Sequence, residues 1–174
     1  TRALPGKPGE VYTQGLTDLD KRAAEYYALG ARFAKWRAVL TIQDGYISQT
    51  AITENAWTLA RYAAICQSKG LAPIVEPEIL MDGEHSLRVK QYWTEKVLSA
   101  CYAALVQQEV LLEGSLLKPA MCLPGSGFKG ARSIKDNAAA TVAALKRTVP
   151  AACGGITFLS GGMSEEEATE MLNA

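Results

Sequence analysis

The sequence predicts an α/β fold built on a parallel sheet, because short apolar runs alternate with long amphipathic stretches over its 174 residues. Each apolar run ends at or near a polar residue, and these residues recur at intervals of 41, 42 and 42 positions: Lys35, Glu76, Lys118 and Ser160. An interval of that length fits one strand, one crossover helix and their loops, the repeating unit of a parallel sheet. We therefore expect the four residues at the carboxyl ends of strands, where functional groups gather in such sheets.

The strands are predicted from β-leaning apolar runs that glycine, proline or polar residues bound. They lie near 33–40, 73–80, 111–118 and 155–160 of a single domain that covers residues 1–174. No composition shift or low-complexity segment divides this domain. The Gly/Pro-rich start and the end inside a helical pattern are expected for a segment of a larger chain.

Helical periodicity fills the intervals between the strands. Helices are predicted over 18–29, about 53–68, roughly 86–108 and about 134–148, with a last helix after residue 162. Thr17 is the expected cap of the first helix, and Gly30 is its expected stop. Ser164 and Glu167 have the capping-box spacing at the start of the last helix. Strand–helix alternation of this kind implies right-handed crossovers.

Composition argues against several classes of function. The formal net charge is zero, so the chain lacks the basic footprint of proteins that bind nucleic acid or an anionic membrane. No apolar run approaches the roughly 20 residues that a membrane span needs. The single histidine, His85, is expected to be solvated at a helix start, and it excludes a multi-histidine metal site. The cysteines have no CxxC spacing and are expected to be buried free thiols, without zinc: Cys66, Cys101, Cys122 and Cys153.

Strand parity groups the charged residues on common faces. Residues two apart in a strand face the same side, so Lys35 shares a face with Arg37, and Glu76 shares one with Glu78. A strand face covered by helices cannot hold such charges cheaply. The charges, with Lys118, are therefore expected to face the wet interior of a curled sheet, where they form a functional site.

The expected neighbours of these lysines favour imine chemistry. A lysine attacks a carbonyl only as the neutral amine, and desolvation or a second cation favours that form. If Lys35 and Lys118 lie close together, one of them is a candidate nucleophile. Glu76 and Glu78 could then transfer protons while a carbinolamine forms and loses water.

The Ser160-Gly161-Gly162 turn is the candidate anion site. It leads into a helix, so its backbone N–H groups can point at an anion, most naturally a phosphate. Taken with the lysines, it indicates imine chemistry on a phosphorylated carbonyl compound. Each feature has a plain alternative: glycine pairs make ordinary turns, lysines snorkel from strand ends, and glutamates beside a proline form simple ion pairs. The agreement of four independent strand ends favours a functional site.

Four motifs resemble class I fructose-bisphosphate aldolases: ARFAKWR, PIVEPEIL, LLEGSLLKP and FLSGGMSEEEAT. The similarity runs over essentially all 174 residues. It implies that the chain is an internal fragment covering the fourth to seventh strands of an eight-stranded (β/α)8 TIM barrel, a partial barrel of about four βα units.

The resemblance also implies roles for the candidate residues. Lys118 would form the Schiff base, and Glu76 would donate and accept protons. Lys35 would assist carbinolamine dehydration and contact the substrate, Glu78 would orient the lysines, and Arg37 would lie near the sugar phosphate. The implied reaction is reversible cleavage of fructose 1,6-bisphosphate to dihydroxyacetone phosphate and glyceraldehyde 3-phosphate, as in glycolysis and gluconeogenesis, without metal or cofactor.

In the resemblance, Ser160, Gly161 and Gly162 match the turn that holds the phosphate of the dihydroxyacetone half. Ala120 and Met163 depart from the polar residues common in the family, and both flank motifs without being catalytic. The family's contributions from its first, third and eighth strands and its C-terminal tail have no match here. Because half a barrel also exposes two strand edges, the fragment alone is expected to fold poorly and to be nearly inactive.

Two other readings stay open at this stage. One is another Schiff-base barrel lyase, of the transaldolase or deoxyribose-phosphate type, acting on a different sugar phosphate. The other is a non-catalytic binding scaffold, for instance for a cytoskeletal protein. The resemblance implies a homotetrameric parent enzyme in the cytoplasm, with a plastid location and fructose 1-phosphate as a substrate left open.

Overall fold

The fold is centred on a three-stranded parallel sheet. The computed structural model describes all residues, 1–174. The sheet has the order β3-β4-β5, with β3 at Phe33–Leu40, β4 at Ala72–Ile79 and β5 at Leu116–Leu117. Before it, β1 (Arg2–Ala3) and β2 (Val11–Tyr12) pair antiparallel, where the sequence had indicated only a loop.

Five α-helices connect and follow the strands. They are α1 (Leu19–Ala28), α2 (Gln49–Ser68), α3 (Leu87–Gln107), α4 (Ile134–Thr148) and α5 (Glu165–Asn173). Helix α5 begins with the predicted capping box, in which Ser164 and Glu167 satisfy each other's backbone N–H groups. The prediction that Thr17 caps α1 is wrong. Asp18 occupies the cap position with a left-handed backbone (φ 53°), and no side chain caps the helix.

Helix α2 begins earlier than its apolar periodicity indicates, because Ser48 caps it. The Ser48 hydroxyl accepts a 3.0 Å hydrogen bond from the Ala51 N–H. The buried carboxylate of Glu10 in turn accepts from the Ser48 N–H at 2.7 Å and from its hydroxyl. This carboxylate fixes the helix start to the N-terminal segment, a contact between distant residues that periodicity does not record.

The third and fourth predicted strands are much shorter than their apolar runs. A 3₁₀ turn at Leu112–Gly114 takes up the start of the run at 111–118. The run at 155–160 makes only isolated bridges, Leu117 with Ile156 and Ala120 with Leu159. Pro119 interrupts the ladder between these bridges because it has no N–H to donate.

The two faces of the sheet differ in character. Helix α2 packs on β3 and β4, and the alternate β3 residues Ala38 and Leu40 are buried in the core that they share. The other face carries Phe33, Lys35 and Arg37 and is largely open. Strand parity is therefore as the sequence predicts: the charged residues of β3 lie opposite the helices.

Buried groups outside the sheet include the cysteines and the single histidine. All four cysteines are free, and three of them are buried, in agreement with the expectation. The expectation for His85 is wrong, because its side chain is buried under the 120–132 segment, whose Gly125 N–H donates to the His85 carbonyl. Burial is also the main reason that the pKa of His85 is lowered.

No helix combines the length and apolarity that crossing a membrane requires.

Candidate active site at the strand ends

A buried glutamate lies between two lysines on the open face of the sheet. The prediction that these residues end their strands holds for Lys118, which follows β5, but is wrong for Lys35 and Glu76, because β3 continues to Leu40 and β4 to Ile79. Glu76 on β4 is only 3% exposed. Its Oε2 is 3.2 Å from Nζ of Lys35 on β3, and its Oε1 is 3.6 Å from Nζ of Lys118, which directly follows β5. The 3.6 Å contact is too long for a hydrogen bond and the 3.2 Å contact is not aligned as one, so the two ammonium groups share the carboxylate as ion pairs.

The register of the parallel sheet produces this convergence. Arg37 is level with Glu76 in the β3–β4 pairing, and Val75 is level with Leu117 in the β4–β5 pairing. The Lys118 N–H donates to the Val75 carbonyl at 2.8 Å, which extends the pairing by one residue. Lys35 is level with Ile74, two residues before Glu76, so its long side chain reaches along the same face to the carboxylate.

A second ion pair lies beside the first. The Arg37 guanidinium donates through Nε to Oε2 of Glu78 at 2.5 Å. This hydrogen bond is the largest reason that the pKa of Arg37 is raised. Because Glu78 is buried and Arg37 is half exposed, the pair anchors the inner carboxylate and leaves part of the guanidinium free toward solvent.

The two lysines are exposed to solvent, so a ligand can reach the site from their side. The side chains of Lys35 and Lys118 are 43% and 29% exposed, while Glu76 beneath them is buried. Three strands cannot enclose an interior, so the site is an open face and not the closed cavity expected from a complete curled sheet. A cavity of about 630 Å³ lies elsewhere, between residues 12–17 and helix α2.

The predicted anion turn lies at the neighbouring strand end. Gly161 and Gly162 have positive φ angles of 62° and 95°, which favour glycine. Neither glycine N–H donates to a protein acceptor, so both are free for a ligand. The bridge between Leu159 and Ala120 places the turn at the same rim as Lys118, although no direct contact joins the turn to the lysines.

Sequence reasoning missed one charged residue near the site. Lys90 of α3 is 2% exposed, and its ammonium donates to the carbonyl oxygens of Ile79 and Leu80 at the end of β4. Its position on the apolar stripe of α3, three residues before Trp93, is the sequence signal from which its burial could have been predicted.

No group of three or more histidine, cysteine or acidic side chains is arranged to hold a metal ion.

Comparisons with known proteins agree on one family. The sequence model described as "Fructose-bisphosphate aldolase class-I" matches residues 1–174. Fructose-bisphosphate aldolase C-B of Danio rerio is 58% identical over 171 residues, covering 98% of this chain and 47% of that protein. The cytosolic fructose-bisphosphate aldolase 4 of Arabidopsis thaliana is 56% identical over 174 residues, covering 100% of this chain and 44% of the relative.

A solved structure agrees with these sequence matches. It is a ternary co-crystal structure of fructose-bisphosphate aldolase from Plasmodium falciparum in complex with TRAP and a small molecule inhibitor. The TM-score is 0.96 at 51% sequence identity, over 98% of this chain and 50% of that chain.

Fold and site together define a βα-barrel protein with a lysine–glutamate–lysine centre on the open face of its parallel sheet. The similarity in sequence and in structure makes the relationship specific: the chain belongs to the class I fructose-bisphosphate aldolase family. The predicted partial (β/α)8 TIM barrel is thereby confirmed. The chain spans about half the length of the curated relatives that it matches.

Proposed function

We propose that the full-length protein is a lyase that reversibly cleaves fructose 1,6-bisphosphate to dihydroxyacetone phosphate and glyceraldehyde 3-phosphate through a lysine Schiff base. The observation that carries this proposal is the position of Glu76 between Lys35 and Lys118. A nucleophilic amine, a second cation and a proton-transfer group within touching range are what imine formation needs. Membership of the aldolase family supports the choice of substrate.

Lys118 is the proposed nucleophile. Its amine attacks the ketone carbon of the sugar, and the resulting carbinolamine loses water to give a protonated imine. A base takes the proton of the hydroxyl that becomes the aldehyde carbonyl, the carbon–carbon bond breaks, and the imine accepts its electron pair to become an enamine as the aldehyde leaves. A proton then added to the enamine carbon restores the imine. Hydrolysis of the imine then releases the ketone product and restores the amine.

Glu76 and Lys35 are the proposed proton-transfer groups for these steps. Glu76 contacts both amines, so it can accept a proton from the attacking nitrogen and return one to the leaving hydroxyl. Lys35 assists dehydration of the carbinolamine and contacts the substrate. Glu78 is proposed to orient the lysines, and it also holds Arg37, whose exposed edge is available to a sugar phosphate.

Ser160, Gly161 and Gly162 are proposed to hold the phosphate of the dihydroxyacetone half. The unpartnered N–H groups of both glycines and the N-terminus of α5 behind them support an anion at this place. In this proposal the lysines and Glu76 carry out the reaction, and the turn binds the phosphate.

Alanine in place of Gly162 tests this separation. Its φ of 95° disfavours any side chain, and a Cβ would approach the Met81 sulfur to 2.6 Å. The Met81 side chain can move aside, but the positive φ strains the turn for any side chain, so we expect KM for fructose 1,6-bisphosphate to rise roughly tenfold, the factor that corresponds to about 1.4 kcal/mol of binding, with a smaller change in kcat. Gly45→Ala is the matched control, since Gly45 has φ 79° in open space outside the site. An unchanged KM in Gly162→Ala would remove the turn from the phosphate site.

The segment 1–174 alone is expected to be poorly folded and nearly inactive. Strand β3 pairs with no strand on its outer edge, β5 makes only isolated bridges on its outer edge, and Phe33 and Leu111 are more than 60% exposed. Such edges and apolar surface favour association between chains. Size-exclusion chromatography should find aggregates. A soluble monomer of residues 1–174 that turns over the bisphosphate would contradict the expectation.

A direct assay of the full-length protein tests the proposed function. It should cleave fructose 1,6-bisphosphate, and it should leave deoxyribose 5-phosphate and transaldolase donors intact. Preference for the monophosphates would favour a different Schiff-base lyase of the same barrel. Absence of any aldol cleavage would favour the binding scaffold.

We propose a cytoplasmic location and a homotetrameric assembly for the full-length protein. Relatives that include cytosolic aldolases of Arabidopsis thaliana support the location, while a plastid location stays open. Fractionation of cells and light scattering of the purified protein test the two statements separately.

A further inference from the structure

Helix α3 carries a lysine where its buried face calls for an apolar residue. Lys90 is 2% exposed and lies on the same stripe as Trp93 and Val97, which belong to the core. Its ammonium donates to the carbonyl oxygens of Ile79 and Leu80, the latter at 3.2 Å. These carbonyls end strand β4, only three and four residues after Glu76.

Burial of this cation is costly, so stability alone does not explain it. A charge taken out of water loses hydration that two carbonyl dipoles restore only in part. Desolvation accordingly lowers the pKa of Lys90 to about 8. An apolar residue would fill the same stripe without that desolvation cost. The buried charge of Lys90 therefore needs a reason other than stability.

Several titratable groups face Lys90 from the elements packed against it. Glu78 on β4, Asp82 in the turn after β4 and Cys122 in the segment after β5 each act on it electrostatically, and its own charge acts on His85. Glu78 is the inner partner of the Arg37 ion pair. Lys90 therefore lies at the end of β4, close enough to Glu78 for the two charges to interact.

We propose that Lys90 is a positioning residue: it holds the end of β4 through the Ile79 and Leu80 carbonyls and places a positive charge near Glu78, so that the strand carrying Glu76 and Glu78 stays in register. This inference rests on the proposed function of the same site. Lys90 does not touch the reacting atoms; it acts through the strand that carries the two carboxylates. A nearby cation makes a carboxylate harder to protonate, so loss of Lys90 should make Glu78 easier to protonate.

The test compares three variants of the full-length protein in pH–rate profiles. Lys90→Met removes both the charge and the hydrogen bonds, Lys90→Gln keeps donors without charge, and Lys90→Arg keeps the charge. We expect Lys90→Met to lower kcat roughly 10- to 100-fold, as for a small misplacement of catalytic groups, with KM changed less than about twofold. The acid limb of the kcat/KM profile should move to higher pH in Lys90→Met and Lys90→Gln, and Lys90→Arg should restore it.

Lys96→Met is the matched control, because Lys96 is an exposed cation on the same helix, over the Tyr92 ring. It should leave kcat and the acid limb unchanged. Wild-type rates in Lys90→Met, or an acid limb that does not move in the well-folded Lys90→Gln, would overturn the inference. So would failure of both neutral variants to fold, since the role of Lys90 would then be structural.

A second measurement, which does not depend on catalysis, tests the role of Lys90 separately from the proposed function. Difference infrared spectroscopy of the carboxylates should show protonation at higher pH in Lys90→Gln than in the wild type, whether or not the protein cleaves a sugar. A wild-type protein without aldol cleavage would contradict the proposed function alone. An unshifted carboxylate band would contradict the positioning role alone.

Discussion

Methionine in place of Lys118 is expected to lower kcat for fructose 1,6-bisphosphate by at least about 10⁴-fold, because no other group can supply the imine nitrogen. Lys118→Arg should be equally inactive: a guanidinium keeps the positive charge but does not become a neutral nucleophile. Both variants should remain folded, since the Lys118 side chain is partly exposed and makes one ion pair.

The measurement is steady-state cleavage by the full-length protein, with thermal unfolding as the check on folding. Lys129→Met is the matched control, because Lys129 is exposed in the segment after β5 and lies outside the proposed machinery. It should retain the wild-type rate. Turnover by Lys118→Met above about one per cent of the wild-type rate would assign the nucleophile to another residue.

Glutamine in place of Glu76 is expected to lower kcat by roughly 10²- to 10⁴-fold, the usual contribution of a proton-transfer group. The amide keeps the shape of the side chain but can neither accept nor return a proton. It also leaves the ammonium groups of Lys35 and Lys118 without the carboxylate that they share, and this adds local repulsion.

Single-turnover kinetics locate the step at which Glu76 acts. In Glu76→Gln, formation of the imine should slow as much as overall cleavage does, whereas binding of the bisphosphate should change little. Glu113→Gln is the control, since Glu113 is an exposed glutamate in the 3₁₀ turn before β5. Unimpaired imine formation in Glu76→Gln would move the proton-transfer role to a different group.

The site geometry was predictable to the extent that it follows from strand spacing and parity. Lys35 and Glu76 lie on long strands whose regular pairing fixes side-chain direction. Lys118 lies one residue past the short β5, yet its N–H continues the pairing with Val75, so the interval argument still places it at the same rim. Their catalytic roles stay predictions until the variants are measured.

The misses have a common physical cause, which is contact between distant segments. Lys90 and His85 are buried because the ends of β4 and β5 and the 120–132 segment close over them, and a helical stripe does not record such closure. The early start of α2 depends on Glu10, 38 residues before its partner Ser48. The loss of regular pairing at 155–160 follows from Pro119, a residue in the partner segment.

The central claim is that Lys118 forms a covalent imine beside Glu76, and borohydride trapping tests it most directly. The full-length protein is reduced in the presence of dihydroxyacetone phosphate, digested and mapped by mass spectrometry. We expect the reduced adduct on the peptide that contains Lys118, and none in Lys118→Met. An unmodified Lys118, or an adduct at Lys35 or Lys90 in the wild-type protein, would contradict the account.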